Sequence, residues 1–319
     1  MQKILIIRFS SIGDIVLTSP VIRCLKEQLP DAQIHYVTKE LFKPVLEHNP
    51  YVYKIHTFKK DVSEIYEELL KEQFTLVIDL HKNLRSLRLK QKLKLPSYAF
   101  NKLNLQKFVA VNFKMLNRLP QQHIVDRYLE AVTRLAIRND GKGLDYFIGE
   151  NDKVNRSEIP AGKFIALVVG GSYYTKQIPH TKLQAICELA QLPIVLMGGK
   201  EDAVIAKKLQ DQFPGLINAC GKYSINQSAS IISQAEWVIT SDTGLMHIAS
   251  AFHKKIISVW GNTIPEFGMG PYLSAAGSRI VEVKNLPCRP CSKLGYHKCP
   301  IAHFYCMNQN DFSFVSELK

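Results

Sequence analysis

Long apolar runs are missing from this chain of 319 residues. A membrane-spanning helix needs roughly 18 consecutive apolar residues, whereas the first apolar stretch, residues 4–7, ends at Arg8. The start also lacks the long apolar core and the small-residue cleavage site of a secretory signal. We therefore expect a protein that does not cross a bilayer and stays in a reducing cytoplasm, and an odd number of cysteines, seven, agrees with that expectation.

Acidic residues are absent from residues 80–125, where ten Lys and Arg side chains occur. The whole chain carries 41 Lys+Arg against 28 Asp+Glu, a formal charge of +13. Such an excess indicates an anionic partner, which could be nucleic acid, a membrane surface or a phosphorylated substrate. Residues 1–155 hold 25 basic and 17 acidic side chains, so most of the excess lies in the first half.

Tandem repeats and low-complexity tracts are also absent, and the chain instead alternates strand-like and helix-like segments. Strands are predicted at residues 3–8, 33–37 and 76–80, with a helix-like stretch over residues 62–71. The pattern restarts after a turn-rich linker, residues 138–162, with strands at 164–169, 194–197, 237–240 and 256–260 and helices between them. We predict two Rossmann-like α/β domains with parallel sheets and a cleft between them, residues 1–155 and 156–319.

Neither common nucleotide fingerprint is present, because the chain has no GxGxxG pattern and no P-loop spacing. Three other loops at predicted strand ends could bind a nucleotide. Gly170-Gly-Ser-Tyr-Tyr-Thr-Lys176 offers a hydroxyl and an ammonium, and Ser241-Asp-Thr-Gly-Leu-Met-His247 opens a helix whose N-terminus attracts phosphate. Met197-Gly-Gly-Lys-Glu-Asp202 offers carboxylates for ribose hydroxyls. Three such loops in one domain predict a nucleotide site.

Each of these residues also has a purely structural interpretation. Asp242 could be a helix N-cap, and Gly244 could simply permit a tight turn. In the first half, Asp14 follows a glycine-containing loop after the first strand, and it could be a first-turn acid favoured by the helix dipole. As isolated patterns, these alternatives are at least as strong as the functional ones.

The motifs taken together resemble glycosyltransferase family 9, the lipopolysaccharide heptosyltransferases. The resemblance rests on Lys3-Ile-Leu-Ile-Ile-Arg-Phe-Ser-Ser-Ile-Gly-Asp-Ile-Val-Leu-Thr-Ser-Pro20, on Ser241-Asp-Thr-Gly-Leu-Met-His247 and on Trp260-Gly-Asn-Thr-Ile-Pro265. It covers nearly the full chain. It implies a GT-B fold and an inverting transfer of heptose from ADP-heptose to a sugar hydroxyl on the lipid A–Kdo core precursor. The chain has Gln177-Ile-Pro179 where some members have Trp-Pro, which leaves the donor sugar open.

The resemblance also implies roles for individual residues. Asp14 corresponds to the proposed general base, and Lys176 is the second predicted catalytic residue, a phosphate-binding lysine that stabilises the leaving ADP without a metal cofactor. Glu201 or Asp202 would meet the ribose. The remaining predicted donor-binding residues are Ser172, Asp242, Thr243, Gly244, Leu245 and His247.

Acceptor binding is predicted in the first half. His123 and Arg127 resemble an acceptor-side motif and could grip a carboxylate or a phosphate, although Arg127 could equally pair with Glu130. Asp79, His81 and Asn83 are lower-ranked candidates at another strand end. The other predicted acceptor-binding residues are Ser10, Ser11, Gly13 and Arg85.

Four cysteines in the last part of the sequence have the spacing Cys288-x2-Cys291-x7-Cys299-x6-Cys306. A structural zinc site and unliganded thiols are comparable interpretations, and disulfides are disfavoured in a reducing compartment. The spacing between the two halves of the set departs from that of common zinc ribbons.

Two other functions use some of the same features. A GT-B-like sugar-nucleotide epimerase or hydrolase would need the nucleotide loops but not the basic stretch. A nucleic-acid-binding protein would use the basic stretch and its aromatic residues. We favour the transferase, and we expect no nucleic-acid partner. The anionic acceptor would then be a glycolipid at the cytoplasmic face of the inner membrane, on which the protein is expected to sit peripherally. The oligomeric state stays open.

Overall fold

The computed structural model describes residues 2–319, which divide into two compact units. The first unit comprises the chain up to Lys102 together with Gln122–Phe147. The second comprises Leu103–Gln121 and Ile148–Lys319. The intervening segment 103–121 therefore groups with the second unit, as does helix α5 (Asn104–Phe113) within it. Three of the ten basic residues in the acid-free stretch, Lys107, Lys114 and Arg118, belong to this segment.

The first unit is built on a five-stranded, wholly parallel sheet in the order β3-β2-β1-β4-β5. Short 3₁₀ helices supplement its regular helices. The strands are β1 (Lys3–Ile7), β2 (Gln33–Lys39), β3 (Lys54–Phe58), β4 (Leu76–Asp79) and β5 (Ser97–Ala99). The helices are α1 (Ile12–Val16), α2 (Ser19–Gln28), α3 (Tyr66–Lys71), α4 (Leu84–Leu93) and α6 (Ile124–Glu130).

The second unit is built on a six-stranded parallel sheet in the order β11-β10-β9-β6-β7-β8. Its strands are β6 (Ile165–Val168), β7 (Ile194–Met197), β8 (Ile217–Asn218), β9 (Trp237–Ser241), β10 (Lys255–Trp260) and β11 (Arg279–Glu282). Besides α5, its helices are α7 (His180–Leu189), α8 (Ala203–Gln212), α9 (Ile225–Gln234), α10 (Gly244–Ala251) and α11 (Tyr305–Asn308).

The apolar runs in the sequence become the central strands because parallel sheets are covered by helices on both faces. Residues 4–7 of β1 and all of β6, β7 and β9 are buried. The predicted α/β class with two Rossmann-like sheets is confirmed. The stretch over residues 62–71 is less regular than a single helix, since a 3₁₀ turn, Val62–Ile65, precedes α3 and is capped by Asp61. No helix in the described part of the chain combines the length and apolar character needed to span a membrane.

Candidate functional site

The second unit has a topological switch between β6 and β9. These two strands are neighbours, and the chain leaves β6 toward β7 and β8 but leaves β9 toward β10 and β11. In open α/β sheets, ligands bind beyond the carboxyl ends of the strands at such a point, because the two departing connections open a crevice. The loops that follow β6 and β9 contain Lys176 and Asp242, which the sequence assigned to the donor site.

Lys176 and Asp242 form an ion pair at this switch. The Lys176 ammonium donates to Asp242 Oδ2 at 2.5 Å, and the Thr263 hydroxyl donates to the same oxygen at 3.2 Å. The two charged side chains are only 16% and 12% exposed. Asp242 therefore does not act as the helix N-cap, and it holds the lysine at the carboxyl edge of the sheet.

The N-terminus of α10 lies directly after this pair. Thr243 is the N-cap residue, and its hydroxyl is 3.0 Å from that of Thr240. Ser241 is buried, and its Oγ has no hydrogen-bond partner among residues 2–319. A buried hydroxyl without a partner costs free energy, so this group favours a polar ligand. The free N–H groups of the helix end, the Lys176 ammonium and the Ser241 hydroxyl together suit an anion.

The loop after β7 separates the roles of the two predicted ribose ligands. Asp202 is buried, and its Oδ2 accepts a hydrogen bond from the Gly199 N–H at 2.8 Å. Burial raises the pKa of this carboxyl, and the charge of Glu201 adds to the increase, while the Gly199 hydrogen bond opposes it. A Cβ on Gly170 would lie 1.9 Å from the Asp202 carboxylate, so Asp202 joins the loops after β6 and β7. Glu201 is exposed and is the one of the two that can reach a ligand.

The other predicted donor residues surround the same edge. Ser172 is exposed in the loop after β6, and Gly244 and Leu245 form the first turn of α10, half-buried. His247 is buried one turn further along that helix. The structure thus brings all the predicted donor residues to the carboxyl ends of β6, β7 and β9, while their contacts with a nucleotide remain a prediction.

The first unit has its own switch between β1 and β4, and Arg8 occupies it. The buried Arg8 guanidinium donates to the Leu80 carbonyl at 2.6 Å and to the Tyr128 hydroxyl at 3.0 Å. It also forms an ion pair with Asp14 Oδ1 at 2.5 Å. Asp14 Oδ2 accepts from the Ser11 hydroxyl at 2.9 Å and from the Ser11 N–H at 3.2 Å. Asp14 is thereby fixed at the start of α1, with 24% of its side chain exposed.

These contacts set the charge state of Asp14. Burial raises the pKa of this carboxyl, but the Arg8 charge and the hydrogen bonds from Ser11 outweigh burial, and the net effect lowers the pKa below its ordinary value. Asp14 is consequently ionised at neutral pH, which is the charge state that a general base needs.

The other acceptor candidates of the first unit fall into two groups. Asp79 and Asn83 have structural roles, since Asp79 is buried in an ion pair with Lys90 at 2.9 Å and Asn83 caps α4 through the Ser86 N–H. His81 and Arg85 lie near the Asp14 loop, and both contact the Phe9 ring. Burial, followed by the charges of Arg8, Lys102 and Arg85, lowers the His81 pKa to about 3, so this imidazole is neutral. Ser10 is half-buried in the loop before α1, and Gly13 is buried in the first turn of α1.

His123 and Arg127 both lie at α6 but differ in exposure. His123 is its N-cap residue, and its Nδ1 accepts from the Val125 N–H at 3.2 Å. Arg127 is only 1% exposed, and it donates to the Asn101 carbonyl at 3.3 Å. Burial lowers the pKa of its guanidinium. Arg127 is therefore far more buried than His123, and a role for either residue in acceptor binding is still a prediction.

Two histidines and a glutamate of the first unit lie close enough together, among the described residues, to be considered as a metal site. His35, His56 and Glu72 have ligand atoms within 4.8 Å of one another. However, the Lys54 ammonium donates to Glu72 Oε1 at 2.6 Å and the Lys3 ammonium donates to Glu72 Oε2 at 3.4 Å. Two ammonium groups beside the site repel a cation. His35 donates to or accepts from His56 at 3.0 Å, and burial lowers its pKa to about 4. We interpret the cluster as a neutral, buried imidazole pair. All seven cysteines are free thiols in the structure.

Three contributing residues were missed in the sequence. Ser241 and Thr263 were quoted only as parts of motifs, and Arg8 was treated as the end of the first strand. Arg8 had one available signal, since an arginine directly after an apolar strand and six residues before an acid is well placed to pair with it. Ser241 and Thr263 are recognisable only from the sheet order.

Comparison with known proteins agrees with this geometry. The family model described as glycosyltransferase family 9 (heptosyltransferase) matches residues 62–297, more than half of the chain. Lipopolysaccharide heptosyltransferase 1 of Campylobacter coli is 25% identical over 297 residues, covering 82% of this chain and 84% of its own. Two solved structures share the fold. One is the family 9 glycosyltransferase of Veillonella parvula, with a TM-score of 0.73 and 22% identity; the match covers 88% of this chain and 86% of that one. The other is Escherichia coli ADP-heptose lps heptosyltransferase II, with a TM-score of 0.69 and 18% identity; the match covers 93% of this chain and 93% of that one. The chain therefore belongs to glycosyltransferase family 9, the heptosyltransferase family, with the GT-B fold.

Proposed function

We propose that this enzyme transfers a heptose from ADP-heptose to a sugar hydroxyl of the lipopolysaccharide inner core, with inversion at the anomeric carbon. The observation that carries the proposal is the anion site at the β6–β9 switch, where Lys176, Ser241 and the N-terminus of α10 converge. A nucleotide diphosphate is the ligand that suits such a site at the carboxyl edge of a Rossmann-like sheet. The names of the relatives supply the sugar and the acceptor.

The donor half of the reaction follows from the second unit. As the bond between the sugar and the diphosphate breaks, negative charge develops on the leaving ADP. Lys176 and the N–H groups of α10 stabilise that charge and need no rearrangement to do so. Glu201 binds the ribose hydroxyls. No step requires a metal ion or another cofactor in this scheme.

The acceptor half follows from the first unit. Asp14 accepts the proton of the attacking hydroxyl, and Arg8 and Ser11 hold its carboxylate in one orientation. A carboxylate with a lowered pKa is a weak base. It suffices because the attacking oxygen becomes strongly acidic once its bond to the anomeric carbon is well advanced. Ser10 and Gly13 of the same loop, with Arg85 nearby, bind the anionic core sugars.

A lipid-linked acceptor lies in a membrane, so the enzyme needs a surface that binds lipid. Helix α5 and the residues after it provide such a surface. Leu105, Phe108 and Phe113 are 72%, 56% and 65% exposed. Met115 and Leu116 are exposed beside them, and the exposed charges of segment 103–121, Lys114 and Arg118, are both positive. Apolar side chains flanked by cations bind anionic lipid headgroups and the acyl boundary beneath them. We propose peripheral association of this α5 surface with the cytoplasmic face of the inner membrane.

Vesicle binding tests the α5 surface. Vesicles containing anionic phospholipid should sediment the full-length protein, and the bound fraction should fall as salt rises, because exposed charges are screened over about 10 Å at 0.1 M salt. Phe108→Ser together with Phe113→Ser should reduce binding several-fold. Val204→Ser, which alters an equally exposed apolar residue on α8, should not. A bound fraction that changes neither with salt concentration nor with the two phenylalanine substitutions would contradict the assignment.

A panel of nucleotide sugars tests the donor assignment. A ligand at 100 times its Kd stabilises the native state by about 2.7 kcal/mol, so thermal unfolding reports selective binding. We expect ADP-heptose and ADP to raise the melting temperature, and UDP sugars and oligonucleotides to leave it unchanged. Protection by UDP-N-acetylglucosamine alone would favour the epimerase or hydrolase alternative, and protection by an oligonucleotide alone would favour nucleic-acid binding. The transfer itself is then assayed with ADP-heptose and a lipid A–Kdo acceptor.

A further inference from the structure

The cysteine-rich segment, defined here as residues 288–306, packs on the loop that carries Lys176. The segment contains little regular structure, since within it only the start of α11 is helical. Most of its side chains are half-buried or exposed. A stretch of this kind loses much conformational entropy on ordering, so its order must come from specific contacts.

Reciprocal hydrogen bonds join Thr175 of the donor loop to Tyr296 of the segment. The Thr175 N–H donates to the Tyr296 carbonyl at 3.1 Å, and the Tyr296 N–H donates to Thr175 Oγ1 at 2.8 Å. Thr175 is only 2% exposed. Because Thr175 immediately precedes Lys176, this reciprocal pair fixes the backbone from which the phosphate-binding side chain extends.

The two residues before Thr175 lie on the same segment. The Tyr174 ring stacks on Phe304 at 5.1 Å between centroids. Tyr173 covers Gly295, which has a φ of +136° and on which a Cβ would lie 2.6 Å from the Tyr173 side chain. Three consecutive residues of the donor loop therefore depend on the cysteine-rich segment for their position.

The four thiols of the segment share one neighbourhood. Cys288 Sγ is 3.9 Å from His303 Nε2, and Cys291 Sγ donates to the Cys288 carbonyl at 3.1 Å. Cys306 is buried in the apolar core of the second unit, and Cys299 packs against that same core cluster. Within residues 2–319, no three of these sulfur and imidazole atoms lie within 4.8 Å of one another. The thiols are thus gathered without being closed into a coordination shell.

This donor set suits a thiophilic divalent ion. Zinc and ferrous iron bind four cysteine thiolates tetrahedrally, and the ion deprotonates the thiols on binding. Such an ion would draw the sulfur atoms together and add to the order that the segment's hydrogen bonds and the Arg289–Glu282 ion pair provide.

We propose that a thiophilic divalent ion bound by Cys288, Cys291, Cys299 and Cys306 orders the cysteine-rich segment and, through Thr175, holds Lys176 in place for the donor diphosphate. The part that concerns the diphosphate depends on the proposed function. Thr175 is then a positioning residue, and the ion takes no part in the chemistry.

Metal content and ADP affinity test the coupling. The full-length protein, purified anaerobically, should contain or take up about one zinc or ferrous ion per chain by mass spectrometry. Removing the ion with a chelator should weaken ADP binding by about tenfold or more while adenosine binding changes little, and adding Zn²⁺ or Fe²⁺ alone should restore it. Cys291→Ser should have the same effect as the chelator. Cys187→Ser, in a cysteine of α7 outside the segment, should not.

Amide hydrogen exchange supplies a readout that does not require a nucleotide. Ion removal should accelerate exchange at residues 173–176, and Thr175→Val should do the same with the ion still bound, whereas the exposed Thr181→Val should not. The proposal is overturned if the protein neither holds nor takes up an ion, or if removal of the ion leaves exchange in this loop unchanged. Wild-type protein that fails to bind ADP would refute the proposed donor, while the exchange result would still decide the coupling.

Discussion

Asp14→Asn should lower kcat for transfer by about 10²- to 10⁴-fold, the usual contribution of a general base, while leaving the Kd for ADP unchanged. Asparagine keeps the size of the side chain. Its Oδ1 can still accept from Arg8 and its amide N–H can donate to the Ser11 hydroxyl, so only the Ser11 N–H loses its acceptor and the loop should stay folded. What it loses is the ability to accept the hydroxyl proton. A steady-state assay with calorimetric ADP binding separates these two quantities.

Asp31→Asn is the matched control, because Asp31 is an exposed acid of the same unit, located in the turn before β2. It should leave both kcat and ADP affinity unaltered. An Asp14→Asn enzyme that keeps more than about a tenth of the wild-type kcat would remove Asp14 from the role of base.

The pH profile of the wild-type enzyme gives a second check on Asp14. Its pKa lies below the ordinary value, so the carboxylate stays ionised as pH falls toward the normal aspartate range near 4. We therefore expect no acid limb from this group between about pH 8 and pH 5. An acid limb near pH 6 that disappears in Asp14→Asn would mean that the Arg8 ion pair is broken in the working enzyme.

Much of the fold could be predicted because short-range patterns determine it. The apolar run that became β7 has the predicted ends, residues 194–197. Burial on both faces forces such runs to be continuous, so they stand out in the sequence. The grouping of segment 103–121 was not visible in this way, because Ala110 and Leu119 pack against Ile264 and Phe267, some 150 residues later in the chain.

The sequence named candidate site residues, but it could not give the contacts between them. Lys176 and Asp242 were each assigned to the donor, yet their pairing across 66 positions follows only from the adjacency of β6 and β9. Likewise, the cysteine spacing was visible, while the contact between Thr175 and Tyr296 that connects those cysteines to the donor loop was not. Interpreting Asp242 as an N-cap was wrong because α10 begins at Gly244, so that Thr243 is the N-cap residue and the Asp242 carboxylate pairs with Lys176 instead.

Lys176→Ala should weaken ADP binding by roughly 10- to 100-fold, as expected when a charge-assisted hydrogen bond worth about 1.5–3 kcal/mol is lost. Adenosine should bind within about twofold of wild type, because it lacks the phosphates that the ammonium contacts. Lys208→Ala, at an exposed lysine of α8, is the control: it lowers the net charge by the same amount as Lys176→Ala and should change neither the ADP nor the adenosine affinity. Calorimetry with both ligands on the three proteins makes the comparison.

The ion pair with Asp242 adds a sharper expectation. Without Lys176, the Asp242 carboxylate loses its cation and faces the incoming diphosphate, so part of the loss in ADP affinity should be repulsion between two anions. The double variant Lys176→Ala with Asp242→Asn should then bind ADP more tightly than Lys176→Ala alone. That non-additivity is expected of two residues in direct contact. Equal losses for ADP and adenosine, or a double variant that binds ADP no better than the single one, would show that this edge of β6 and β9 does not hold the phosphates.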